Sequence, residues 1–141
     1  MLHSLPTGTI IERIIADLEK NTQVLTEETR DKVSKLLAPL IPKILEKRQM
    51  ILKDLNSEES EKAFTEYIIE SLDMFYQTLF TIDPDLRHIE AYKKMHLDIL
   101  TGFLHDMNSI PYYNKLDTQT KIKTITEIRR KRTISIPPQK N

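Results

Sequence analysis

The sequence predicts an all-α fold, a compact bundle of five to six helices followed by an extended basic C-terminal tail. Apolar residues return every three or four positions through most of the 141 residues, the spacing that lines one face of a helix. Helix-start signals (a capping Thr, Ser or Asp followed by acidic residues or proline) punctuate those runs at intervals. Strand-like alternation is almost absent. A chain of this length buries roughly two-thirds of its unfolded surface and needs no covalent staples, so residues 1–132 are expected to form one helical domain and 133–141 the tail.

The elements follow in order. Thr9 and Glu12 have the spacing of a capping box, and Ile10, Ile11, Ile14, Ile15 and Leu18 then recur at helical intervals. A second start at Thr26-Glu27-Glu28 places acids at the positive helix terminus. Its apolar stripe runs from Val33 to Leu55, and Pro39 and Pro42 predict a break near Ala38 with a restart at Pro42. Ser57-Glu58-Glu59 opens the next helix, expected to bury Phe64, Ile68, Ile69, Leu72, Phe75, Tyr76 and Leu79. Asp83-Pro84 reads as an N-cap with proline at the first helical position, launching a helix to about Met107. Apolar residues cover more than half the circumference of that helix, which suits a central position or a subunit contact. A last helix is expected from near Asp117 to Arg132, with a narrow edge of Ile122, Ile125 and Ile128, before Pro137 and Pro138 enforce an extended end.

Composition removes several chemistries. Without cysteine there is no thiol catalysis, iron–sulfur cluster, cysteine-ligated zinc or disulfide, which fits an intracellular protein, cytoplasmic or nuclear. The two glycines, Gly8 and Gly102, supply neither a P-loop nor a dinucleotide-binding turn. The first residues lack a basic n-region, and no run approaches the roughly 18–20 apolar residues that span a bilayer, so neither secretion nor a membrane partner is expected.

Charge is the most informative property. The total is zero, but Asn114–Asn141 carries eight Lys/Arg against Asp117 and Glu127, so the preceding part carries an equal negative excess. A basic end of this kind suits a polyanion or an acidic surface. Lys121, Lys123, Arg129, Arg130, Lys131 and Arg132 are the candidate contact residues for nucleic acid or an acidic partner. Four phosphate contacts from Arg129–Arg132 would give a log–log salt slope of roughly −3.6. The competing reading is that these cations complement the negative end of the last helix. Thr133 and Ser135 stand in Arg-x-x-Ser/Thr spacing and are candidate phosphorylation sites, where a phosphate would weaken a polyanion contact.

Other groupings read as ordinary surface or core. Glu59, Glu66, Glu70 and Asp73 line one helical face, which is expected to be solvated or to dock the basic arm; the Glu-x-x-His of di-iron bundles is missing. His88 and His96 lie two turns apart, about 12 Å, too far for a shared metal. No nucleophile elbow organises the serines. Catalytic, cofactor and metal sites are therefore not expected. The stretch Ile110-Pro111, Leu116, Thr120-Lys121-Ile122 and Ile128-Arg129 resembles part of the helical N-terminal domain of TFIIS-type transcription elongation factors, with a one-residue slip before Ile128; no residue role transfers with it.

The expected function is a non-enzymatic helical interaction module: an adaptor, assembly factor or regulator within a larger viral, replication or transcription complex. Its partner would be a protein or a second copy of the chain. The alternative is a nucleic-acid-binding protein that grips phosphates with the C-terminal arm, and a small carboxylate enzyme is the third class.

Overall fold

The computed structural model describes residues 6–53 and 56–135, the side chains of 131–135 excepted. Five helices make up the described chain, α1 (Thr7–Asn21), α2 (Glu27–Ile51), α3 (Ser57–Ile82), α4 (Ile89–Met107) and α5 (Thr118–Ser135), with no strand among the described residues. They pack as two compact units. The first comprises the chain up to Glu46 together with Ser71–His96; the second comprises Lys47–Glu70 together with the chain from Leu97 onward. The boundary falls inside α2, α3 and α4, so these three helices contribute to both.

In the first unit, Ile11 and Ile15 of α1 meet Val33, Leu37 and Ile41 of α2 in one apolar cluster with Leu25 from the connecting turn. Met74 and Ile82 of α3 close its edge. The start of α1 differs from expectation. Thr9 is not its cap, because the helix begins at Thr7 and Thr9 N–H already donates to the Pro6 carbonyl at 3.0 Å. Pro6, with its preset backbone, stands at the cap position instead. At the other end of α1, the Thr22 hydroxyl and N–H both donate to the Leu18 carbonyl, at 2.6 and 2.9 Å. Glu19 then accepts Leu25 N–H at 2.8 Å and the Arg30 guanidinium at 3.1 Å, tying the turn to α2. The Leu25 bond is the leading reason that the Glu19 carboxyl ionises below its usual range.

The predicted break in α2 does not occur: the helix runs through Pro39 and Pro42 without interruption. Each proline removes a backbone bond and crowds the preceding turn, at a cost of about 3 kcal/mol. Opposing that cost, Val33 and Leu37 are fully buried and Ile41 is 3% exposed, and full burial of one such side chain contributes roughly 1.5–3 kcal/mol. The carbonyls deprived of a donor belong to Lys35 and Ala38, both at exposed positions where water can serve. Tertiary burial thus overrides the local breaker. Replacing Pro39 with Ala, which restores the bond without touching the stripe, is expected to raise stability by about 1–2 kcal/mol in urea unfolding and to increase helical circular dichroism.

The predicted start of α4 at Pro84 is also overturned. After α3 the chain makes turns through Pro84–His88, and α4 begins at Ile89. The cause is Asp83, which is 3% exposed and points inward rather than capping at Pro84. Its Oδ2 accepts the Tyr92 hydroxyl at 2.8 Å and His88 N–H at 3.2 Å, while Oδ1 faces Arg87 Nε at 3.5 Å. To bring His88 round to that carboxylate, Leu86 takes the left-handed conformation at φ 51°, the one non-glycine with positive φ among the described residues. For a γ-branched L-residue this costs roughly 1–2 kcal/mol, so the Asp83 bonds hold a strained turn.

In the second unit the core is aromatic. Asn56 and Glu59 form a reciprocal capping box at the start of α3, Asn56 Oδ1 accepting Glu59 N–H at 2.8 Å. One turn on, Phe64 is fully buried, with its ring 4.9 Å from that of Tyr113 and 6.5 Å from that of Tyr67. Tyr67 in turn meets Phe103 of α4 edge-on at 5.6 Å. Consecutive turns through residues 108–117 insert Ile110 and Tyr113 into this core, 0% and 2% exposed. Ile69 here, and Tyr76 in the first unit, both expected inside, are only half-buried, and the 8% exposed Tyr67 takes an inner position in the second unit.

Candidate interaction surface on the last helix

The last helix is launched by Asp117, whose Oδ1 accepts Thr120 N–H at 2.7 Å, the leading cause that holds this carboxyl below the usual range. Its inner edge is Lys121, Ile125 and Ile128, at 8%, 4% and 6% exposure, and Ile122, expected on that edge, is 47% exposed. The apolar stem of Lys121 lies along the core while its ammonium donates to Asn108 Oδ1 at 2.6 Å. Lys121, read from sequence as a contact residue with the other cations, therefore sits on the opposite side of the helix from solvent. Periodicity alone could not separate 121 from 122, since a rotation of one residue exchanges them.

Lys123, Arg129 and Arg130 are exposed. At 100° per residue, positions 123 and 130 fall within about 20° of each other, and 129 lies one residue round the cylinder. Glu127 is the acid among them. The helix continues through Lys131 and Arg132, whose side chains lie outside the described residues, and ends at Ser135 rather than Arg132. Thr133 and Ser135, expected in an extended tail, are thus in the last helical turn. No proline stands between Thr118 and Ser135 to break the helix. The rest of the expected tail, from Ile136, lies outside the described residues.

In the second unit a largely buried polar set links three helices. Asp106 of α4 accepts the Tyr67 hydroxyl of α3 at 3.1 Å on Oδ2 and the Arg48 guanidinium of α2 at 3.2 Å on Oδ1. Burial, followed by the Asp106 charge, pushes the Tyr67 phenol well above its ordinary range, so it stays a hydrogen-bond donor. At the surface, Tyr112 donates to Glu61 Oε2 at 3.0 Å and anchors the 108–117 segment on α3.

The acidic face of α3 is partly spoken for. Glu66 and Glu70 both contact Lys47 Nζ at 3.2 Å, and the Glu66 hydrogen bond is the main reason that this ammonium ionises above its usual range. Among the described residues, no three His, Asp or Glu side chains converge closely enough to hold a metal ion. His96 Nε2 lies 3.5 Å from the Tyr76 hydroxyl, and its ring lies 6.0 Å from Phe75. His3 lies outside the described residues. No helix among the described residues is long and apolar enough to cross a membrane.

The sequence reading missed the inward Asp83 with Tyr92, and the Arg48–Tyr67–Asp106 set, whose outer members are 58 positions apart. Their only local signal was Asp at a helix boundary and Tyr within an apolar run. Comparison with known protein families, with characterised proteins and with solved structures finds no match to this chain.

Proposed function

We propose that this protein is a non-enzymatic helical interaction module that serves as an adaptor, assembly factor or regulator in a larger complex, with the basic C-terminal helix as its contact element. The observation that carries this reading is the exposure of Lys123, Arg129 and Arg130 on a helix whose apolar residues Ile125 and Ile128 are already consumed by its own core. Cations held on a docked helix, with the sequence basic on to its end, favour an acidic protein surface. The negative excess of the remaining chain disfavours a duplex lying across more than this element. A second copy is a further partner of the same reading, since Leu97 of α4 is 63% exposed.

The alternative, a phosphate-gripping nucleic-acid binder, uses the same three side chains with Lys131 and Arg132, and one experiment separates the two. Fluorescence anisotropy is measured with a glutamate-rich peptide, duplex DNA and single-stranded RNA at low and moderate salt. The full chain is compared with the Lys123→Glu/Arg129→Glu/Arg130→Glu variant. The acidic peptide is expected to bind the full chain, with affinity falling about tenfold or more in the variant. Tighter binding of DNA or RNA, with a steep salt slope that the variant flattens, moves the assignment to nucleic acid. Absence of binding to all three probes at low salt removes the basic helix as a contact element.

A further inference from the structure

In the first unit, the strained turn before α4 borders a pocket of about 210 Å³ that neither the basic helix nor the core explains. Its walls are the rings of Phe75, Tyr76, Phe80 and Tyr92 with aliphatic side chains from Leu79, Leu86 and Ile89. A cavity so lined is costly to leave filled with water, because the wall offers it few hydrogen bonds. Phe80 and Ile89 remain 44% and 40% exposed at its border, so apolar surface is left for an occupant to cover.

The polar groups that line it are few and mostly committed. The Tyr92 hydroxyl donates to Asp83, and Tyr76 pairs with His96. Lys93 is the formal charge among the lining residues, and its counter-ion, Glu90, is 3.5 Å away with 89% of its side chain exposed. Such an exposed pair contributes little and exchanges readily for a better-placed anion. Asp83, the nearby acid, is turned away into its own hydrogen bonds behind Tyr92.

We infer that this pocket binds a small amphiphilic anion, a carboxylate on a short alkyl chain or a single aromatic ring, with the apolar part between the rings and the carboxylate on Lys93. The charge selects an anion over a cation, although aromatic walls alone attract cations through their ring faces. The volume selects a small occupant. At about 210 Å³ the pocket lies below the roughly 300–1,000 Å³ of sites for drug-sized ligands, so it takes a short chain or a single ring on the scale of octanoate or benzoate. The left-handed Leu86 supports the same assignment: its strain places an aliphatic side chain on the wall, and strained residues of this kind gather where ligands are clamped.

The test is a nitrogen-15 correlation spectrum of the full chain titrated with sodium octanoate, 1-octanol and octylammonium, for wild type, Lys93→Gln and Ile89→Trp. Octanoate is expected to shift the amides of Tyr76, Leu86 and Lys93 in a saturable way. Lys93→Gln, at an exposed site that leaves the fold intact, should weaken octanoate about tenfold and leave octanol unchanged. Ile89→Trp, which fills the pocket border, should weaken both. The assignment is overturned if octanoate leaves these amides unmoved, if octylammonium binds as tightly as octanoate, or if Lys93→Gln binds octanoate like wild type. It also fails if the lining amides shift with protein concentration alone and sedimentation shows a dimer, since the occupant would then be a second copy.

Discussion

Replacing Asp106 with Ala is expected to destabilise the protein by about 3 kcal/mol, a loss of roughly 10 °C in Tm by thermal unfolding. The carboxylate is the shared acceptor of Tyr67 and Arg48, at 3.1 and 3.2 Å, on side chains drawn from three helices. Its removal leaves the buried Tyr67 hydroxyl without a partner, at about 1–3 kcal/mol, and the Arg48 guanidinium without its counter-ion. Arg48 is 34% exposed, so water recovers part of the second loss, and the total stays below the upper end measured for fully buried ion pairs. Asp106→Asn retains one acceptor and the side-chain volume, and its loss should be no more than half as large. A drop in Tm below 3 °C for the alanine variant would mean that the three helices hold their positions without this set.

Asp83→Ala is expected to cost about the same, about 3 kcal/mol, for a different reason. The carboxylate satisfies the Tyr92 hydroxyl and the His88 N–H and holds Leu86 in its left-handed turn, so its loss orphans two donors and releases a strained backbone. The dependence on pH identifies the cause. Burial opposes ionisation of Asp83, but the hydrogen bonds from Tyr92, His88 and Arg87 and the Arg87 charge outweigh it, and the carboxyl is held below its ordinary range. The unfolded chain then binds the proton more readily than the folded one. Ionised Asp83 therefore adds stability that is present above about pH 4, the unfolded value, and is lost as pH falls towards the lower folded value. The difference in urea midpoint between wild type and Asp83→Asn should be widest at neutral pH and should narrow below about pH 4. A difference that stays constant from pH 7 to pH 3 would show that Asp83 acts through packing and not through its charge.

Local signals were legible where one chain segment decides the outcome. Thr26 accepts Thr29 N–H at 3.1 Å at the start of α2, and Asp117 caps α5, both at the expected positions. In each case the donor and acceptor are three residues apart and close on one another whatever the rest of the chain does. The prolines of α2 mislead because their local cost is set against burial supplied by α1 and α3, and only the assembled unit contains that term. The start of α4 misleads in the opposite sense. Asp-Pro is a good helix start in isolation, but the carboxylate gains more from Tyr92 and His88 than from capping at Pro84.

The basic surface was legible as charge but not as geometry. Counting Lys and Arg locates a positive end, and helical periodicity places it on α5. Which cations face water depends on the rotation of that helix against its neighbours, and Ile125 and Ile128 are compatible with either Lys121 or Ile122 as the third inner residue. Asn108 resolves it, because a buried ammonium needs an acceptor and one is in place.

From the sequence alone followed the all-helical class, the division of charge between the two ends and the exclusion of thiol and glycine-loop chemistry. Each depends on composition or on spacing within one helix, which the chain carries before it folds. Tertiary structure alone decided the continuity of α2, the inward turn of Asp83, the Arg48–Tyr67–Asp106 set, the burial of Lys121 and the ring-lined pocket beside Leu86. Each of these balances a local cost against a contact made by a residue distant in the chain, and that contact exists only once the helices have packed.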